Sequence, residues 1–233
     1  MMAESLYLKD LRVKYELIEN YFKASSKKLE KLREFFNSLC REIFKKNLEI
    51  YDRAGITFPI IYGERCAYSS IGASLHDLGY AHMSEWGVKA TPLDNETEDL
   101  RRRHVDFWVW NNKKSLWLEF KFLSFNLGGK VSFLEKEPKV LEGIEQIEEI
   151  PHKGAKIALY NIPLWLSDSK QMSVKELRDK RDKNIESFLK IQGIKKEKVL
   201  CGVLDFSECY KEYKFYHNND KIPYIVIFGV IHT

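Results

Sequence analysis

Apolar and polar positions keep two different rhythms along this chain. From Ser115 to Phe122 (Ser-Leu-Trp-Leu-Glu-Phe-Lys-Phe) the alternation has a period of two, which sets Leu118, Phe120 and Phe122 on one face of a strand and Glu119 and Lys121 on the other. The run from His104 to Trp110 has the β-branched and aromatic content of a second strand, and Asn111-Asn-Lys-Lys114 supplies the turn between them. A β-hairpin follows. It carries Phe107, Val109, Leu116, Leu118, Phe120 and Phe122 on one side and Asp106, Trp108 and Trp110 on the other. So apolar a ribbon predicts a sheet covered on both faces.

Steps of three and four residues mark the helices. Small residues from Cys66 to Leu78 predict a closely packed helix over 62–78, with Glu64 in its first turn, where the helix dipole favours a carboxylate. Phe133 to Ile150 places Val140, Leu141, Ile144, Ile147 and Ile150 in one stripe with Glu142, Glu145, Glu148 and Glu149 outside it. Val174 to Gln192 is helical in pattern and stops at Gly193. Further strands are predicted at Tyr80–Ala90, at Lys156–Leu166 with a loop at Pro163, at Lys198–Phe206 and at Tyr224–Ile231, with a short one at Tyr213–Tyr216. Thr91 to Arg103 is polar and predicted to be a surface loop. From Leu8 to Tyr51 there is no proline or glycine, and apolar residues from Leu17 to Leu48 recur at helical steps. Two long helices, or one broken near Ala24-Ser-Ser26, are predicted there, packed on the core or forming a homodimer interface. The element order is that of an α/β protein, with residues 1–52 as an N-terminal helical extension and 53–233 as the core.

Charges inside apolar strands are expensive unless paired or liganded. A hairpin in register brings Asp106 close to Glu119 and Lys121 on one face, near the end of the sheet. Carboxylates with room for water suit Mg²⁺, a hard cation that takes oxygen ligands and keeps waters of its own. Such an ion polarises a phosphoryl group and lowers the pKa of a bound water. Lys121, a compact ammonium with several donors, would orient that water or stabilise negative charge in the transition state. The plainer reading of the same trio is an ion-pair ladder on a half-exposed hairpin.

On these residues the chain resembles the PD-(D/E)xK nuclease superfamily, over roughly residues 60 to 165, with Val105 standing where the family usually has proline. The resemblance implies a three-layer α/β/α, restriction-endonuclease-like core with a central mixed sheet. It implies endonuclease or exonuclease activity on the phosphodiester bonds of DNA, in a restriction, repair or mobile-element setting. Mg²⁺, or Mn²⁺ in its place, would be held by Asp106 and Glu119. A glutamate on the helix before the sheet often joins the metal site in that family, and Glu64 matches it by order and position; Glu85, on the first strand of the core, competes for the role. Gln146 corresponds to a glutamine on the helix after the E-x-K strand. Arg101, Arg102, Arg103 and His104 lead straight into Asp106, where they would hold the DNA backbone by charge without reading sequence. His104 shares the face of Asp106, and Asp205 is a further carboxylate at a strand end. The alternative is a non-catalytic interaction protein that keeps this fold as a scaffold.

Composition narrows the picture a little. With 38 basic and 34 acidic residues the net charge is only +4, so any basic footprint must be local. Cys40, Cys66, Cys201 and Cys209 lack C-x-x-C spacing, which argues against a zinc site and for a reducing compartment. No run of apolar residues is long enough to span a bilayer, so a cytoplasmic protein without a membrane partner is expected.

Overall fold

Lys221–His232 and Ala155–Leu166, apolar at nearly every position, lie side by side in the middle of a mixed sheet, where water reaches neither face. The computed structural model describes residues 4–8, 11–54, 58–89, 102–111, 114–129, 133–167, 169–212 and 221–232. Its strands are β1 (Glu4–Leu8), β2 (Leu11–Ile18), β3 (Ala81–Lys89), β4 (Arg102–Asn111), β5 (Lys114–Phe122), β6 (Phe125–Asn126), β7 (Ala155–Leu166), β8 (Val199–Asp205) and β9 (Lys221–His232). They are ordered β1-β2-β8-β9-β7-β5-β4-β3, with the short β6 also on β7. The helices are α1 (Lys27–Ala54), α2 (Glu64–Asp77), α3 (Glu137–Glu148) and α4 (Val174–Phe188). β5 and β7 are parallel and α3 makes the crossover between them, as the helix-then-strand order predicts.

Two neighbours in β9 define the layers. Phe228 and Gly229 point to opposite faces. The Phe228 ring stacks on Phe188 of α4 with centroids 3.9 Å apart. On the other face Phe36 of α1 presses so closely on Gly229 that a Cβ there would fall 2.6 Å from its ring. Thus α4, and with it α3, whose Val140 carbonyl accepts the hydroxyl of Tyr160 in β7, covers one face. Helices α1 and α2 cover the other, α2 through Tyr68 against Phe107 and Phe120. The fold is α/β with three layers, as the sequence pattern and the resemblance implied.

Local chemistry fixes the elements that carry the candidate residues. A 3₁₀ turn at Pro59–Ile61 precedes α2, and two buried asparagines hold it. Asn47 of α1 accepts the Ile60 N–H at 3.0 Å, and Asn161 of β7 donates to the Ile60 carbonyl at 2.5 Å. These bonds set where α2 begins and therefore where Glu64 stands. At α4, Ser173 and Glu176 close a capping box.

Residues 11–18, expected to be helical, form β2 instead. Val13 and Tyr15 are buried while Lys14 and Glu16 are only partly so, a period of two. A two-residue alternation also satisfies every four-residue step, which is why this segment reads equally as a helix. What decides is the free edge of β8, against which β2 pairs from Lys14↔Asp205 to Ile18↔Cys201. The loop expected at Pro163 is likewise absent, because β7 continues to Leu166. The carbonyls of Asn161 and Trp165 face β5 and β6, so the missing N–H of Pro163 points into the gap between those two strands and leaves no ladder bond unmade. The short strand expected at Tyr213–Tyr216 lies outside the described residues, as does most of the loop 91–103. Cys40, Cys66, Cys201 and Cys209 are unbridged. Among the described residues no helix is long and apolar enough to cross a membrane.

Candidate active site

The hairpin ladder runs from Asn111↔Lys114 to Phe107↔Leu118 and then stops. One more step of that register would oppose Asp106 to Glu119. Here β4 leaves β5, and the backbone N–H groups that a neighbouring strand would take are met by side chains. Asp106 Oδ2 accepts the Phe120 N–H at 2.6 Å, and Glu64 Oε1 accepts the Phe122 N–H at 3.1 Å. Carboxylates from a strand and from the first turn of α2 are thereby placed along the same edge of β5. Tyr68, one helical turn beyond Glu64, donates its hydroxyl to Asp106 Oδ1.

On β5, Glu119 and Lys121 are 3% and 8% exposed, so their charges are nearly enclosed. Lys121 Nζ lies 3.2 Å from Glu119 Oε1 and 3.4 Å from Glu142 Oε1 of α3. The same Glu142 oxygen accepts a bond of 2.8 Å from the amide of Gln146. α3 comes this close because residue 143 is glycine: a Cβ there would fall 2.8 Å from the Tyr160 hydroxyl and 3.0 Å from Cγ of Lys121. Burial raises the Asp106 carboxyl above its ordinary value, and Glu64 adds to the rise; the Tyr68 and Phe120 donors and Lys121 only partly offset it. Burial opposes the Lys121 charge, but Glu119, Glu142 and Glu64 together outweigh it and hold the ammonium above its ordinary value. Burial, then the bond to Asp106, keeps the Tyr68 hydroxyl protonated.

The structure thus sets Asp106 and Glu64 along the edge of β5 at one end of the hairpin, pairs Glu119 with Lys121 on the same stretch of that strand, and reaches Gln146 through Glu142. Glu85 is exposed on edge strand β3, between the pairs Ser84↔Phe107 and Trp86↔Val105, with a backbone φ of +51°. His104 is exposed on β4. Arg101 lies outside the described residues, and of Arg102 and Arg103 the backbone alone is described, in β4. Asp205 is not part of the site. It sits three strands away on β8 and accepts the Ser207 N–H at 2.8 Å, closing its own turn. Sequence reasoning passed over Tyr68, Glu142 and Lys139, whose Nζ is 3.4 Å from Glu64 Oε1. The signal for Tyr68 and Glu142 was helical spacing, since Glu64 with Tyr68 and Glu142 with Gln146 are each four residues apart, whereas Lys139 meets Glu64 across a long separation that leaves no local mark.

A cavity of about 350 Å³ opens beside Glu64, bordered by Tyr62, Arg65, Cys66, Phe122 and Lys139. Among the described residues, no three His, Cys, Asp or Glu side chains are gathered so as to hold a metal ion by themselves. The donor chemistry nonetheless fits Mg²⁺, which is commonly held by one or two carboxylates and completes its shell with water and phosphate oxygens. Each Asp106 oxygen accepts one hydrogen bond and keeps a second lone pair.

Compared with protein-family models, with curated proteins and with solved structures, the chain finds no match in any of the three.

Proposed function

We propose that this protein is a metal-dependent nuclease that hydrolyses phosphodiester bonds in DNA. One observation carries the reading: Asp106 and Glu64, from a strand and a helix, accept alternate N–H groups along the edge of β5 where β4 leaves it, and Glu119 and Lys121 pair on that same stretch of β5. Asp106 and Glu119, with Glu64 beside them, would hold Mg²⁺ or Mn²⁺. Bound there, the ion supplies Lewis acidity and a water of lowered pKa. Tyr68 and the Phe120 N–H fix the orientation of the Asp106 carboxylate. Lys121, kept protonated by its acidic neighbours, brings fixed positive charge to an oxygen that becomes more negative as the bond breaks. Exposed Arg65 and Lys139 at the mouth of the cavity neutralise the phosphodiester backbone.

A second reading has its own support. Lys121 lies on two carboxylates, and Asp106 has a donor on each oxygen, so the trio also reads as a paired ionic network of a scaffold protein. Incubating the protein with supercoiled plasmid, single-stranded DNA and RNA, with Mg²⁺ or with EDTA, separates the two. The nuclease reading expects Mg²⁺-dependent cleavage that disappears in Asp106→Ala and in Lys121→Ala. Cleavage that survives both substitutions, or none by folded wild type in Mg²⁺ or Mn²⁺, rejects it.

A further inference from the structure

The hairpin face that carries Asp106, Glu119 and Lys121 also carries tryptophan. Trp108 and Trp110 share the parity of Asp106 in β4, and Trp117 shares that of Glu119 and Lys121 in β5. Trp108 packs on Trp110 with centroids 4.8 Å apart and stacks on Trp117 at 5.5 Å and 11°. Trp86 of β3 joins them, its ring 5.3 Å from Trp108. It follows Glu85, whose left-handed backbone interrupts the alternation of the edge strand. Trp86 and Met83 are 38% and 43% exposed, large apolar side chains offered to solvent.

The aromatic row does not end in apolar surface. Trp117 stacks on His152 at 5.2 Å and 16°, and His152 lines a second cavity, of about 450 Å³. Lys153, Lys156, Lys195 and Lys198 border that cavity with His232, and Glu148 is the one acidic residue among its lining. Lys156 is engaged with the carbonyls of Glu148, the last residue of α3, and of Ile150 just beyond it, whereas Lys153 and Lys195 are exposed. The Trp117 indole N–H, buried beside Gly154 of the same lining, has no acceptor among the described residues.

A row of partly exposed indoles running into a lysine-lined cavity matches one kind of ligand. We infer that this face binds single-stranded nucleic acid, with unpaired bases stacked along the Trp86–Trp108–Trp110 row and phosphates held at Lys153 and Lys195. Bases exposed by strand separation offer π-faces to the indoles, and the backbone complements the lysines; a duplex keeps its base faces stacked inside and has only the charge to offer. That the bound strand is also the substrate rests on the nuclease reading; that it binds does not.

Binding is therefore measured without catalysis. Fluorescein-labelled oligothymidylate, oligouridylate and a duplex of equal length are titrated with the full chain in EDTA, following anisotropy and tryptophan quenching. The expected result is quenching and binding by the single strands that weaken with added salt, with the duplex bound less tightly. Trp86→Ala lowers single-strand affinity roughly tenfold while Trp86→Phe restores most of it. Lys153→Glu with Lys195→Glu lowers it as well, with the circular dichroism spectrum unchanged in each variant. The oligouridylate arm tells RNA from DNA as the source of the strand. Equal affinity for duplex and single strand, indifference to Trp86→Ala, or burial of Trp86 by self-association of the chain in sedimentation would overturn the inference. Single-strand binding without Mg²⁺-dependent cleavage removes the nuclease reading alone, and Mg²⁺-dependent cleavage by a protein whose single-strand affinity in EDTA is indifferent to Trp86 and the lysines removes this inference alone.

Discussion

Lys121 and Glu119, two residues apart on β5, meet at 3.2 Å with both side chains nearly closed off from water. Alternation puts them on one face, and α3 encloses them there. Desolvation of each charge is met by the other and by Glu142, so the pair is stable only as a pair.

Removing one partner should therefore be far worse than removing both. Lys121→Met leaves the Glu119 carboxylate buried beside Glu142 and is expected to cost about 3–5 kcal/mol. The double variant Glu119→Gln, Lys121→Met should recover most of that loss. Urea unfolding of the wild type, the single variants Lys121→Met and Glu119→Gln and the double variant completes the cycle; equal losses in Lys121→Met and the double variant would show that packing, and not charge, dominates here.

Tyr68→Phe removes a donor to an ionised carboxylate and nothing else. Hydrogen bonds to charged groups contribute about 1.5–3 kcal/mol, and the vacated position lies partly buried between Phe107 and Phe120. A loss in that range is expected in denaturant midpoints, with the far-ultraviolet spectrum unchanged. A loss below about 0.5 kcal/mol would mean that water replaces the hydroxyl at Asp106.

How far the chain could be read before its structure was known depended on whether a pattern had one meaning. The hairpin was legible because Leu118, Phe120 and Phe122 alternate with Glu119 and Lys121 too regularly for a helix, and α3 because its stripe from Val140 to Ile150 has no competing period. Val13 and Leu17, four residues apart, fit both periods, and pairing with the distant β8 edge decided between them. The same limit applies at the site. Asp106, Glu119, Lys121 and Glu64 could be grouped from order along the chain, whereas Tyr68 gains its role only where β4 splays from β5. Asn47 and Asn161, which set the start of α2, act across long separations and leave no local mark.

Contact between α1 and β9 depends on a missing methyl. A Cβ at Gly229 would sit 2.6 Å from the Phe36 ring, which is wholly buried and has no space to retreat. Gly229→Ala is expected to destabilise the protein by about 1–3 kcal/mol, as overpacking does. Adding Phe36→Leu should give back part of the loss, measured as a rise in Tm over the single variant. Failure of that rescue would show that the loss does not come from the Phe36 contact, since Ile157 stands at ordinary contact distance, 3.5 Å from the same point.

His232 makes stability depend on pH in a direction the geometry determines. It closes β9 against the end of α3, with Nδ1 3.0 Å from Glu148 Oε1. Burial lowers the imidazole below its ordinary value of 6.5, Lys198 and Lys156 push the same way, and Glu148 opposes them. A histidine with a depressed folded value binds fewer protons in the native than in the unfolded state across the window between the two values. Stability therefore rises with pH through that window, is fully present above 6.5, and is lost as acid protonates the unfolded chain first. Unfolding free energies of wild type and His232→Gln, measured from neutral pH downward, should diverge below about pH 6.5, with wild type losing more. The variant lacks the titrating ring, so its curve should be flatter over the same interval; parallel curves would assign the acid sensitivity to another group.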